Sequence, residues 1–358
     1  MIYSLYMKVN FQKPISLHHE LKSAVDAYFI EQKLSKKGNF QLKLKAVILM
    51  SLFVVLYSLL VFVVMPWWLS ILLCVAFGVV LALIGFNIMH DACHGSFSTN
   101  DKVNYTLGLT MNLLGSNAFI WKKKHNDTHH IYTNVDGMDD DIVKVPIFRW
   151  CETQERKSFH RFQHLYAFPL YMVTPILWVF VLDYIKYFNK RIVGRPFEID
   201  TKERAIFWLS KVFYVIFYVA VPIYFLGFAK FIIGYLIYNA VFGLVLSLVF
   251  QMAHVVENTH FENSTVANPN IANDWATHQL ITTTNFATDN TFLTWCLGGL
   301  NFQVEHHLFS KISHVHYPAL QKIVEQVCAK NNVPYLNYAT ISDAFFSHYR
   351  FVRAMGRG

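Results

Sequence analysis

From Ala46 to Met89 the chain carries no charged residue, and only Pro66 separates two apolar runs, AVILMSLFVVLYSLLVFVVM (46–65) and WWLSILLCVAFGVVLALIGFNIM (67–89). A helix that crosses a bilayer needs about 20 apolar residues. Each run is long enough, and the one-residue connection forces a tight helical hairpin. Residues 206–229 and 231–253, split by Lys230, form a second pair of the same kind. The composition agrees: 54% of the 358 residues are hydrophobic and only 15% are charged, where soluble domains carry roughly 25%. The predicted fold class is an all-α integral membrane protein with four transmembrane helices in two hairpins.

Two further stretches are ambiguous by hydropathy. Residues 165–182 contain Pro169 and Pro175, and residues 103–121 are rich in Asn, Thr, Ser and Gly. Charge decides how they are read. Eight lysines precede residue 46, and the 186–204 loop holds Lys186, Lys190, Arg191, Arg195, Lys202 and Arg204, while the hairpin tips hold almost none. Basic residues collect on the cytoplasmic side, so both termini and this loop are predicted to be cytoplasmic. Residues 165–182 then have cytoplasmic flanks at both ends, and with 103–121 they are placed in the interface. The predicted organisation is a helical segment over 1–44, a membrane domain over 45–330 and a tail over 331–358.

On this topology one set of residues shares a face. His90 and His94 in HDACH follow the second crossing, and His125, His129 and His130 in HNDTHH come soon after. His254 ends the fourth crossing, and His306 and His307 lie in QVEHH with Gln303 three positions earlier. Histidines four apart project from one side of a helix, with His130 expected about 100° round from His129. Neutral imidazole is the commonest metal ligand, and eight imidazoles exceed the coordination of one ion. The residues point to a dinuclear, nitrogen-rich centre. Imidazole suits Zn, Cu, Fe and Ni alike, so the ligand type leaves the metal open. His160 and His164 share the spacing without a third neighbour and are read as structural or partner-facing. His260, His278, His314 and His316 also stay outside the set. The five cysteines include no C-x-x-C pair and suggest neither a disulfide framework nor a thiolate site.

The three clusters resemble the histidine boxes of the membrane fatty acid desaturases. The run WCLGGLNFQVEHHLF (295–309), with glutamine opening the third box, is similar to the front-end, linoleoyl-type branch. The resemblance covers roughly residues 45–330. It implies a non-haem di-iron centre that activates dioxygen, with His90, His94, His125, His129, His130, His306 and His307 as ligands, His254 as the extra histidine, and Gln303 binding weakly or through water. It also implies a fatty acyl substrate. Three positions depart from the family pattern: no His-Pro-Gly-Gly haem motif occurs, Phe250 stands where stearoyl-type relatives have asparagine (with Gln251 as a substitute), and Ser310 follows the third box where proline is usual. The first departure implies electrons from a separate ferredoxin, flavoprotein or cytochrome b5, docking on the basic cytoplasmic face.

The formal charge of +8 fits positive-inside topology and such a partner, and no basic stripe interleaved with aromatics points to nucleic acid. A fatty acyl or sphingolipid hydroxylase on the same scaffold is the nearest competing reading. A metal transporter is more remote, because transporter sites lie near the bilayer midplane. A bacterial cytoplasmic membrane is the expected location.

Overall fold

The computed structural model describes residues 10–11, 16–142, 147–262 and 270–358. The chain is mostly helical. The described strands form three two-residue pairs: Asn10–Phe11 with Asn270–Ile271, Arg191–Ile192 with Arg195–Pro196, and Asn285–Phe286 with Asn337–Tyr338.

Among the described residues, five helices are long and apolar enough to cross a membrane: Phe40–Phe62, Trp67–Cys93, Ser158–Asn189, Thr201–Leu226 and Phe228–His254. Four of them match the runs picked out above, except that the first ends at Phe62, short of Met65, and Thr201–Leu226 ends short of Ala229. Their boundaries follow from local chemistry. The Asn39 side chain accepts the Leu42 N–H at 3.0 Å and starts the first helix. Asp200 does the same for Glu203 at 2.7 Å. Gly227, at φ +77°, makes the turn between the last two helices, a conformation costly for other residues. Large apolar side chains such as Val64, Trp67, Leu209, Tyr224 and Phe228 cover the outside, as expected of a surface facing lipid.

The fifth helix, Ser158–Asn189, holds the 165–182 stretch. Pro169 and Pro175 lie inside it, and a π-turn follows at Trp178–Leu182. It buries Ala167, Tyr171, Pro175 and Val179, one residue every turn, and leaves Leu165, Val173, Leu177, Phe180 and Val181 outside. The 103–121 stretch breaks instead into the short helices Asp101–Gly108, Thr110–Leu113 and Ala118–Lys124. The carboxy-terminal residues include an amphipathic helix, Ile341–Arg357, that packs on the fifth helix; Gln163 Nε2 donates to the Val352 carbonyl at 2.7 Å.

Helix Phe228–His254 is central and is approached closely through glycine. A Cβ at Gly78 would lie 2.5 Å from the Tyr238 carbonyl oxygen, and one at Gly243 would collide with the Tyr171 carbonyl and Pro175. At Gly234 a Cβ would make ordinary contact with Cys74 Sγ at 3.4 Å. Gly243→Ala should therefore cost about 1–3 kcal/mol, read as a lower melting temperature in detergent. Gly234→Ala, in the same helix, should lose none of this, since only backbone entropy changes. Equal melting temperatures would show that helices 158–189 and 228–254 are not held at this distance.

Candidate metal centre

Each histidine cluster is placed by the end of a helix. A π-turn at Gly85–Met89 precedes His90, and the helix runs out at Cys93 just before His94. Asn117 caps helix Ala118–Lys124 by accepting the Ile120 N–H at 3.0 Å, and that helix passes into a second π-turn over His125–His129. Here the structure corrects the helical-wheel expectation. The His130 N–H bonds the His125 carbonyl at 3.0 Å, five residues back, so His130 swings onto the same face as His125. Their Nε2 atoms lie 3.1 Å apart.

His254 ends its helix, and helix Gln303–Leu308 presents His306 and His307. The rings converge. His306 lies 4.4 Å from His90 and 4.6 Å from His130, His307 lies 4.3 Å from His130, and His254 lies 4.8 Å from His129. All eight predicted histidines meet in one buried place. Ligand atoms within 4.8 Å of one another form the sets His90, His94, His125 and His306; His129, His254 and His307; and His130, His306 and His307.

The outward nitrogens are tied down. His129 Nδ1 lies 3.0 Å from Asp139 Oδ2, His307 Nδ1 lies 2.8 Å from Gln279 Oε1, and His306 Nδ1 lies 3.1 Å from the Tyr317 hydroxyl. Such partners fix the ring and leave the other nitrogen as a lone pair. Correspondingly, Nε2 of His94, His129, His254, His306 and His307, and Nδ1 of His130, are buried with no hydrogen-bond partner. A buried polar atom left alone costs about 1–3 kcal/mol, and six in one cluster fit a site built to hold metal. Burial holds His94, His125, His130, His306 and His307 below the usual imidazole range, hence neutral and able to ligate. His129 differs: burial pulls it down, but the Asp139 and Asp141 carboxylates together raise it above its ordinary value.

Several functional neighbours escaped the sequence reading. Asp141 shares a possible metal-holding set with His125 and His129. It also pairs with the half-buried Lys124. In sequence, MDDD looks like an ordinary solvated acidic run. Glu305, inside the third box, points away from the histidines to the Tyr335 hydroxyl (2.7 Å) and Asn285 Nδ2 (2.8 Å). Burial pushes it up to about 7. The residues left outside the set stay outside it. His314 Nδ1 lies 3.0 Å from Asp91, and His278 Nε2, on helix Trp275–Thr282, lies 2.8 Å from the Thr133 carbonyl. Lys157 N–H bonds His160 Nδ1 at 3.0 Å, and His164 packs edge-on against Tyr349.

A cavity of about 340 Å³ reaches this cluster. Its walls include His90, His125, His306 and Gln303 at one place, and Phe86, Trp150, Tyr171, Trp178, Phe242 and Phe250 elsewhere. Phe250 packs against His129 and His254 at 4.9 and 5.1 Å, and Gln251 lines the cavity beside it.

Comparison with known proteins agrees with this geometry. The family model described as "Fatty acid desaturase" matches residues 66–339. A sn-1 linoleoyl-lipid 6-desaturase of Synechocystis sp. is 34% identical, the match covering 98% of both chains. A protein of the same name from Arthrospira platensis is 33% identical over 97% of this chain and 95% of its own. An acyl-lipid (8-3)-desaturase of Physcomitrium patens is 33% identical over 94% of this chain and 71% of its own. With three histidine boxes closed into one buried cluster beside an apolar cavity, the chain belongs to the fatty acid desaturase family.

Proposed function

We propose that this membrane oxidoreductase is a front-end acyl-lipid desaturase, placing a double bond between an existing one and the carboxyl end of a lipid-borne fatty acyl chain. The observation that carries the reading is the set of buried, partnerless imidazole nitrogens at the head of an apolar cavity. His90, His94, His125, His129, His130, His254, His306 and His307 would hold two irons, which supply dioxygen activation when bound. Gln303, at the cavity wall, would act weakly or through water. The linoleoyl-lipid and (8-3) names of the relatives favour the front-end assignment.

The protein's own part is to seat the chain and keep water away. An acyl chain already in lipid gains little by transfer to another apolar site, so selectivity rests on cavity shape. Aromatic walls from helices 67–93, 158–189 and 228–254 would fix which methylenes lie beside the histidines. Electrons would come from a separate ferredoxin, flavoprotein or cytochrome b5 at the basic cytoplasmic face.

A four-crossing topology, with both termini and the centre on the cytoplasmic side of a bacterial membrane, is part of the proposal, as are the 1–44, 45–330 and 331–358 divisions. It is supported by the fifth helix. Near its end Lys186 pairs with Asp140, and near its start Gln163 Nε2 donates to the Arg149 carbonyl at 3.0 Å. Both partners come from the stretch that follows the histidine-bearing turn His125–His129, which favours both helix ends facing that side.

The test is a fatty acid profile. The chain is expressed with a compatible electron donor, fed acyl chains of differing length and unsaturation, and its lipids are analysed by gas chromatography–mass spectrometry. A new double bond on the carboxyl side of an existing one is expected. Hydroxylated acyl chains would replace this reading with the hydroxylase.

A further inference from the structure

A second cavity, of about 290 Å³, also reaches the histidine cluster. Its buried wall includes Ala92, Cys93, His94 and Asn104; elsewhere it is lined by Gly95, Asp101, Tyr105, Lys122 and Glu203. Helix Ala118–Lys124 stands between the two cavities: Trp121 and Lys124 line the first, and Ala118, Phe119 and Lys122 line the second. The two spaces differ in chemistry. The first is walled mainly by aromatic and aliphatic groups. In the second the Tyr105 hydroxyl donates to Glu203 at 3.0 Å, Lys122 and Lys202 flank the Tyr105 ring, and Asp101 is exposed. His94 is the most exposed of the eight histidines, at 8%.

We infer that this polar cavity is the aqueous route by which protons and small anions reach the metal centre, kept apart from the acyl chain by helix Ala118–Lys124. The inference rests on the metal-binding reading above. Desaturation with reduction of dioxygen to two waters takes two hydrogen atoms, that is two protons and two electrons, from the acyl chain, two electrons from the external donor and two protons from solvent. Two waters must also leave. An acyl chain filling the first cavity blocks that path to protons and water. Ordered water needs two to four polar partners and about 10–15 Å³ of probe-occupied space per molecule. The second cavity offers both, from solvent-facing Asp101 to His94.

The probe is azide binding to the full-length protein loaded with Co(II), followed by the cobalt visible spectrum in stopped flow. Leu109→Trp and Phe119→Trp fill the second cavity from walls that carry no histidine. Each should keep its cobalt but bind azide about tenfold more slowly or worse, the effect of about 1.4 kcal/mol added to the barrier. Saturating acyl-lipid, by contrast, should leave the wild-type azide rate unchanged. Lys122→Glu keeps the cavity open and reverses a lining charge, so it should slow azide at low salt and recover at high salt. Wild-type azide rates in the plugged proteins, an azide rate suppressed by acyl-lipid, or no salt-dependent effect of Lys122→Glu would each overturn the route. Failure of the wild-type protein to take up cobalt would overturn the metal-binding reading itself, and the route with it.

Discussion

His129→Ala is expected to abolish desaturation while the protein still inserts and folds. The imidazole belongs to two candidate metal-holding sets, with His254 and His307 and with His125 and Asp141, so its loss removes a ligand from whichever of them holds the ion. Changing a partner of a ligand already costs 10–100-fold in metal affinity or activity, and removal of the ligand should exceed about a hundredfold. Folding should survive for a local reason. Asp139, which loses its imidazole partner, still accepts the Asn134 N–H at 3.0 Å and the Asp141 N–H at 2.9 Å. Product formation and bound iron, measured on the same purified sample, check this. Turnover at the wild-type rate would sink the shared-metal account.

Asp139→Asn should lose about 10–100-fold in activity or iron affinity, through geometry alone. Asp139 is fully buried. Its two oxygens accept from three donors: His129 Nδ1 and the Asn134 N–H at Oδ2, and the Asp141 N–H at Oδ1. Asparagine has only one accepting oxygen. Its amide must therefore face either the Asp141 N–H or the His129 ring. Facing the ring, it would favour the tautomer with Nδ1 bare and the proton on Nε2, the nitrogen otherwise free to ligate. Iron titration of the variant against wild type is the measurement. Unchanged affinity and turnover would mean that His129 does not ligate through Nε2.

How much of this could be read in advance follows from the range of each signal. The four main apolar helices and all eight histidines were legible, because absent charge and clustered imidazoles are local patterns. The alignment of His130 with His125 was not. A π-turn has no residue signature here, and an α-helical wheel puts His130 on the wrong side of His129. Asp139 and Asp141 looked like surface charge until the fold carried them under His129 and beside Lys124. Gln279 and Tyr317 lie 28 and 11 residues from His307 and His306, outside any local spacing, yet adjoin them in space. The close approach at Gly243 depends on Tyr171 and Pro175 of a different helix, which no period along one segment reveals.

The most direct test of the central claim is the iron content of the purified protein together with its X-ray absorption spectrum. The account predicts about two irons per chain in a first shell dominated by imidazole nitrogen, with iron lost from the site that His129 serves in His129→Ala. A protein that turns over acyl-lipid with no bound metal, or that holds its iron in a shell of oxygen ligands alone, would contradict it.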